Sequence, residues 1–328
     1  MRALRLHGFN GPSSLRWEEV PAPVPGPREA LVRVRATALN RADLLQTLGR
    51  YPAPPGAPPD IPGLEYAGEI LALGGRVDRF QLGDRVMGLT GGGAFAEQLC
   101  VDARELLPIP PRMSFTDAAA VPEAFLTAWD ALVLQGGLRA GETVLVHAAG
   151  SGVGVAAVQV AAAAGARVIG TSRTAEKLSR LGAYGLHAGV LTGEGRDAAA
   201  DVMAATAGRG VDLVLDLVGG SAVALSLKVL APRGRMLLVG LLDGASPQVD
   251  LGLVLRKRLT LVGTVMRSRL PEEKAALAAQ AERPLLPLIA SGKLRPAVDL
   301  VLPLPRAAEG LARMAGNGTF GKIVLQVD

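Results

Sequence analysis

The sequence predicts an α/β domain built on a doubly wound parallel sheet, together with a separate β-rich domain. Three observations predict it. At 328 residues the chain exceeds what one ordinary hydrophobic core serves, so about two domains are expected. From about Ala118 onward, Ala-rich helical stretches alternate with short, wholly apolar segments of strand length. Continuous apolar strands suit a sheet covered on both faces, and strand–helix–strand alternation winds right-handed. The residues before Ala118 instead carry short segments of partial apolar and polar alternation between turn clusters, which predicts a barrel or partly open sandwich.

Taken in order, the β-rich part contributes MRALRLHG, LRWEEVP, ALVRVRATAL, YAGEILALG and DRVMGL as strands, with no helices between them. They are separated by PAPVPGPRE and YPAPPGAPPD, where proline and glycine end a ladder. The α/β part has five strands, ETVLVHAA, ARVIGTS, VDLVLDLV, GRMLLVG and LTLVGTV. Its helices are VGVAAVQVAAAAG, TAEKLSRLG, RDAAADVMAATAG and SAVALSLKVL. After Gly263 the pattern is mixed again and ends in KIVLQV, a strand available to rejoin the first domain. The expected domains are therefore 1–122, 123–263 and a returning segment, 264–328. LTLVGTV, as the last strand of its sheet, is an apolar edge, and such edges are usually covered or paired. Twofold pairing of this strand in a homodimer is expected.

Composition narrows the function. Apolar residues are 49% and charged residues 20%, as in soluble globular proteins. The most apolar stretch, Val153 to Ala166, is shorter than the roughly 20 residues of a membrane span and contains Gln159. It reads as a buried helix, and no membrane association is expected. No basic, apolar and small-residue series opens the chain as a signal peptide would, so cytoplasm is the default expectation. Cys100 is the only cysteine, which excludes an intrachain disulfide and any multi-cysteine zinc site. The net charge of +5 is scattered and aromatics are 3%, which argues against nucleic-acid binding.

HAAGSGVG, residues 147–154, lies between the first α/β strand and its helix. Exposed N–H groups and the helix dipole favour an anion at such a turn. Gly150, Gly152 and Gly154, with Ser151 and Val153 between them, let a phosphate approach the backbone and the helix pack on the strand. A dinucleotide is the expected ligand, although strict GxGxxG spacing is absent. An NAD site normally places Asp or Glu at the end of the next strand. Here that position reads Thr171-Ser172-Arg173-Thr174, followed by Lys177. Hydroxyls, a guanidinium and an ammonium suit a 2′-phosphate, so NADPH is the expected cofactor.

The chain resembles the medium-chain dehydrogenase/reductase superfamily, in particular its zinc-free quinone oxidoreductases. The resemblance rests on Asn40-Arg41-Ala42-Asp43 with Gly49-Arg50-Tyr51-Pro52, GLEYAGEI at 63–70, Gly83-Asp84-Arg85-Val86, FLTAW at 125–129, HAAGSGVG and Gly321-Lys322-Ile323-Val324-Leu325. It implies a GroES-like β-barrel for substrate and a Rossmann domain for the nucleotide, with the acceptor in an apolar cleft between them. Zinc-dependent relatives hold their metal at positions corresponding to Asn40, Leu64 and about Glu123. Leucine ligates nothing, so no metal is expected, and Glu65 is expected to pair with a buried basic or backbone group. Without metal, hydride transfer from NADPH to an electron-poor acceptor such as a quinone needs least help. The resemblance implies Asn40, Tyr51 and Asp43 at the acceptor and Thr127 near the nicotinamide; Gly240 and Leu241, just past the strand GRMLLV, are expected there because ligands bind beyond the carboxyl ends of such strands. Ser151 departs from the family loop, and Gly189 and Asn317 stand where a tyrosine and an arginine are common near the adenosine phosphate. Reduction of an enone, alkenal or enoyl thioester is the enzymatic alternative. A structural or RNA-binding role, as in some quinone-reductase-like proteins, is the non-enzymatic one. His7, His147 and His187 fall in no acid–base pairing, and no catalytic role is expected for them.

Overall fold

The structure is a computed structural model and describes residues 1–327. The chain forms two compact units, one made of Met1–Leu126 with the segment from Met266 onward, the other of Thr127–Val265.

In the first unit β1 (Arg2–Leu6) and β2 (Leu15–Glu19) pair antiparallel as a two-stranded sheet. A second sheet takes β3 (Glu29–Ala38), β4 (Glu65–Leu73), β5 (Arg85–Leu89), β6 (Gln98–Asp102) and the two-residue β7 (Leu107–Pro108). Strand β3 is long enough to pair with both β4 and β6. Helix α1 (Arg41–Thr47) follows β3 directly, which alternation alone does not reveal. Its signal is local, a capping box in which Asn40 and Asp43 each accept from the other's backbone N–H. Helices α2 (Phe115–Ala119) and α3 (Pro122–Trp129) lead into the second unit.

The second unit is a six-stranded sheet of β8 (Thr143–Val146), β9 (Arg167–Ser172), β10 (Ala188–Leu191), β11 (Val211–Asp216), β12 (Leu230–Leu238) and β13 (Thr260–Gly263). All its pairings are parallel, in the order β10-β9-β8-β11-β12-β13, so β13 is an edge as expected. The connecting helices are α4 (Gly152–Ala163), α5 (Ala175–Leu181), α6 (Ala198–Ala205), α7 (Ser221–Val229) and α8 (Leu251–Lys257). Strand β10 is missing from the five-strand reading because AGVL carries no β-branched run and follows Gly185. Its core gathers Leu145, Ile169, Val214 and Met236.

The chain then returns to the first unit through α9 (Pro271–Ala290), β14 (Val298–Pro303), α10 (Ala307–Ala315) and β15 (Lys322–Gln326). Strand β15 lies between β14 and β3, giving the order β14-β15-β3-β4-β5-β7 with β6 against β3. The expected barrel is corrected here: the sheet is open, since β14 and β7 stand at its two ends. Pro303 and Pro108 sit in those end strands, where a missing N–H costs no ladder bond. The core of this unit gathers Val32, Val34, Tyr66, Ile70, Phe95, Leu302 and Leu325.

Candidate functional site

The HAAGSGVG turn joins β8 to α4. Ala148 takes a left-handed backbone, φ 49°, which strains a residue carrying a Cβ and turns the chain sharply. Ser151 is the N-cap of α4, and its hydroxyl accepts from Gly154 N at 3.1 Å. It caps the helix and keeps its own hydroxyl proton to donate. The N–H groups of Gly150, Gly152 and Val153 find no acceptor among the described residues. Three neighbouring donors and a helix N-terminus form an anion cradle. Gly154 serves packing: a Cβ there would lie 2.5 Å from the carbonyl oxygen of Ala148. A Cβ at Gly150 would meet the Lys177 stem at 2.9 Å, so this lysine lies along the turn from α5.

At the end of β9, Ser172 is buried, and its hydroxyl oxygen accepts from Thr174 N at 3.2 Å. Arg173 is exposed and forms no ion pair among the described residues. Gly240 and Leu241 follow β12, and Leu241 is exposed. Leu241 also lines an apolar hollow of about 160 Å³ with Val223, Met236, Leu238 and Leu261. Thr127, on α3, is buried with its hydroxyl unpartnered. An orphaned buried hydroxyl and unpaired cradle N–H groups are what a polar, anionic cofactor would satisfy, and the residues fit a dinucleotide. His147, the residue after β8, is buried and fully satisfied. Ser226 donates to Ala222 O, so it accepts from His147 Nε2 at 2.9 Å, leaving Nδ1 to accept from Thr171 at 3.0 Å. Burial holds its pKa below the usual histidine value, so the ring stays neutral.

The acceptor residues expected from sequence lie in the first unit, around a polar cluster. Glu65, at the start of β4, is fully buried, as is nearly all of Lys322 at the start of β15. Their ion pair is 2.6 Å long. The Glu65 carboxylate also accepts from Asn40 Nδ2 at 2.9 Å and from Glu123 N at 2.8 Å. Glu65 therefore pairs with both a basic and a backbone group, as expected. Asn40 is half-buried, and its amide is spent within the protein: Nδ2 donates to Glu65 and Ala38 O, while Oδ1 accepts from Lys322 at 2.6 Å. Asp43 is fully buried, with its oxygens accepting from Asn40 N at 2.8 Å and Gly63 N at 3.0 Å. Burial pushes its pKa up to about 6 against those two hydrogen bonds. Through these bonds Asn40 and Asp43 tie the loop to Gly63, Glu65 and Lys322.

Tyr51 differs. It is half-buried, its hydroxyl bonds to no described residue, and the Arg267 guanidinium sits 5.3 Å from its ring centre. Arg267 is itself buried, donating to Gly91 O at 2.8 Å, Tyr51 O at 3.0 Å and Gln46 Oε1 at 2.6 Å. It fixes the loop that presents the phenol. Neither Arg267 nor Lys322 is foreseen as part of the cluster. The Lys322 signal was a basic residue opening an apolar strand, while Arg267 follows β13 in an unpatterned stretch. Asn317 lies in the first unit, left-handed at φ 56°, with Oδ1 accepting from Arg41 at 2.8 Å.

Comparison with known proteins bears on both units. The family described as alcohol dehydrogenase GroES-like domain matches residues 26–111, and that described as zinc-binding dehydrogenase matches 152–282. Quinone oxidoreductase of Pseudomonas aeruginosa is 34% identical over 325 residues, 99% of each chain. Phthioceranic/hydroxyphthioceranic acid synthase of Mycobacterium bovis is 35% identical over 307 residues, 92% of this chain but 14% of its own, so the chain spans only a small part of that relative. Two solved structures have TM-scores of 0.89: an NAD-dependent alcohol dehydrogenase and Escherichia coli quinone oxidoreductase complexed with NADPH. The first is 35% identical and covers 100% of both chains. The second is 28% identical, covering 99% of this chain and 100% of the other. With both units matched by family and a relative aligned along its whole length, the chain belongs to the medium-chain dehydrogenase/reductase superfamily.

Proposed function

We propose that the protein is an oxidoreductase that transfers a hydride from NADPH to a quinone without a metal. The observation that carries the reading is the cradle of unpaired N–H groups at Gly150, Gly152 and Val153, set at the start of α4. In this reading these groups hold the pyrophosphate, and Ser172, Arg173 and Lys177 hold the 2′-phosphate. Thr127, Gly240 and Leu241 border the nicotinamide. The bound nucleotide supplies the hydride, and the protein supplies binding and orientation. Tyr51 is the donor to the acceptor oxygen. Asn40 and Asp43 position its loop, and Asn317, taken up by Arg41, has no part assigned. The positive charge near the acceptor comes from the chain itself, through the Arg267 guanidinium beside the Tyr51 ring.

The test is a nucleotide titration followed by protein fluorescence, then a panel of quinones and enones with each cofactor. Tight NADPH binding with quinone turnover is expected. Binding of neither nucleotide would leave the structural role, and turnover of enones alone would replace the acceptor class. Preference for NADH would overturn the assignment of Arg173 and Lys177. One structural neighbour is described as NAD-dependent, so the NADH arm is essential.

A further inference from the structure

The polar cluster contains three carboxyl groups, and only one is unspent. Both oxygens of Asp43 and both of Glu65 accept hydrogen bonds. Glu123 is bound through its main chain, whose N–H donates to Glu65, and its carboxyl group accepts no hydrogen bond from a described residue. The residue sits in the first turn of α3 and is only partly buried, unlike Glu65 and Asp43. Its backbone N–H is held by Glu65 Oε2, and the same carboxylate is fixed through its other oxygen, Oε1, by Lys322 and Asn40. A side chain with a fixed root and an unpartnered carboxyl group, near the equally unpartnered phenol of Tyr51, has the form of a donor awaiting a substrate.

We propose that Glu123 is the general acid of the acceptor site, giving its proton to the acceptor oxygen that becomes negative on hydride transfer. The inference rests on the acceptor reading above. A quinone that gains a hydride becomes a hydroquinone monoanion, and the nucleotide is oxidised. The Glu123 O–H bond then breaks, the proton forms a new O–H bond on the anionic oxygen, and a neutral hydroquinone results. Solvent returns the proton to the Glu123 carboxylate.

The surroundings favour the protonated acid at neutral pH. Burial, then the charge of Glu65, push the Glu123 pKa up to about 8; Asp43 adds to this, while Lys322 and Lys274 oppose it. The other facing groups are the Tyr51 phenol and the Arg267 guanidinium, both of which feel the charge of Glu123. Tyr51 is the weaker candidate for the acid, because burial pushes a phenol already near 10 further up. An efficient acid has a pKa near the working pH. Tyr51 orients the oxygen, and Glu123 supplies the proton.

The experiment compares wild type, Glu123→Gln and Glu123→Asp at saturating NADPH, from pH 6 to 10, with a quinone that wild type reduces. The wild-type rate is expected to fall as pH rises through about 8, as the acid loses its proton. Glu123→Gln should turn over about 10²-fold more slowly, the low end for general acid catalysis, and lose that alkaline limb. Glu123→Asp should recover part of both, and nucleotide affinity should stay within twofold in either variant. Carbon-13 NMR of glutamate-labelled wild type gives a readout independent of turnover and of variant folding, a carboxyl titrating near neutrality or above. A Glu123→Gln enzyme that keeps the alkaline limb, or no such carboxyl resonance, would overturn the inference while leaving the acceptor reading intact. Wild type that reduces no quinone or enone would overturn both.

Discussion

The glycine turn after β8 and the polar cluster around Glu65 both prepare a protein interior for charge, by opposite means. The turn uses the backbone of consecutive residues and removes side chains so that N–H groups point outward unpaired. The cluster uses side chains from Asn40, Glu65, Arg267 and Lys322, carried by segments far apart in sequence, and pairs nearly every atom internally. An unpaired N–H at a helix start is cheap while water reaches it, so the turn can wait for a ligand. A buried carboxylate cannot wait, because an isolated charge away from water costs several kcal/mol. The turn is therefore built to bind, and the closed part of the cluster to position. Only Tyr51 and Glu123, at its partly buried margin, keep groups free for an acceptor.

The largest effect should come from breaking the cluster. Lys322→Met leaves Glu65, which is fully buried, without its ion-pair partner. Removing one member of a buried pair typically costs about 3–5 kcal/mol. Urea unfolding monitored by circular dichroism should show a loss of that size. A loss below about 1 kcal/mol would mean that water reaches Glu65 and that the cluster is not the closed device described here.

The same contrast explains how much was legible in the sequence. The turn is local, so its glycines, the apolar strand before it and the Ala-rich helix after it could be read together. Edge strand β13 and the main α/β helices were readable for the same reason, since periodicity is a property of neighbouring residues. The cluster is not local: the bond from Lys322 to Asn40 spans 282 positions. Asn40 and Asp43 entered the reading by family resemblance, but resemblance does not reveal that their polar atoms are used up internally. Helix α1 had a local signal in its capping box, yet the same two residue types also favour turns. Whether the GroES-like sheet closes depends on its end strands, and no single segment carries that information.

A middle-sized effect should separate cofactor recognition from stability. The Lys177 stem lies along the turn at Gly150, on the helix that follows β9. Losing one charge-assisted hydrogen bond costs about 1.5–3 kcal/mol. Lys177→Ala should therefore weaken NADPH by tens of fold in a fluorescence titration while NADH affinity changes little. Its urea midpoint should stay near wild type, in contrast to Lys322→Met. Equal weakening of both nucleotides would assign Lys177 to the pyrophosphate or to packing and remove the physical basis for NADPH preference.

The smallest effect tests the margin where positioning gives way to chemistry. Tyr51→Phe keeps the ring under Arg267 and removes only a hydroxyl that bonds to no described residue, so the fold should be unaffected. Loss of an oxyanion donor can cost about 10²–10³ in rate. A quinone spreads its added charge over ring and oxygens and leans less on a single donor, so about tenfold slower turnover is expected, near 1.4 kcal/mol. Nucleotide affinity should not move, because the loop of Tyr51 belongs to the first unit and the cradle to the second. Steady-state rates with one quinone at saturating NADPH would measure this, with the titration as control. Unchanged turnover would make the phenol a wall of the acceptor site. A loss of turnover with the alkaline limb retained would instead fit an orienting role, with the proton coming from Glu123.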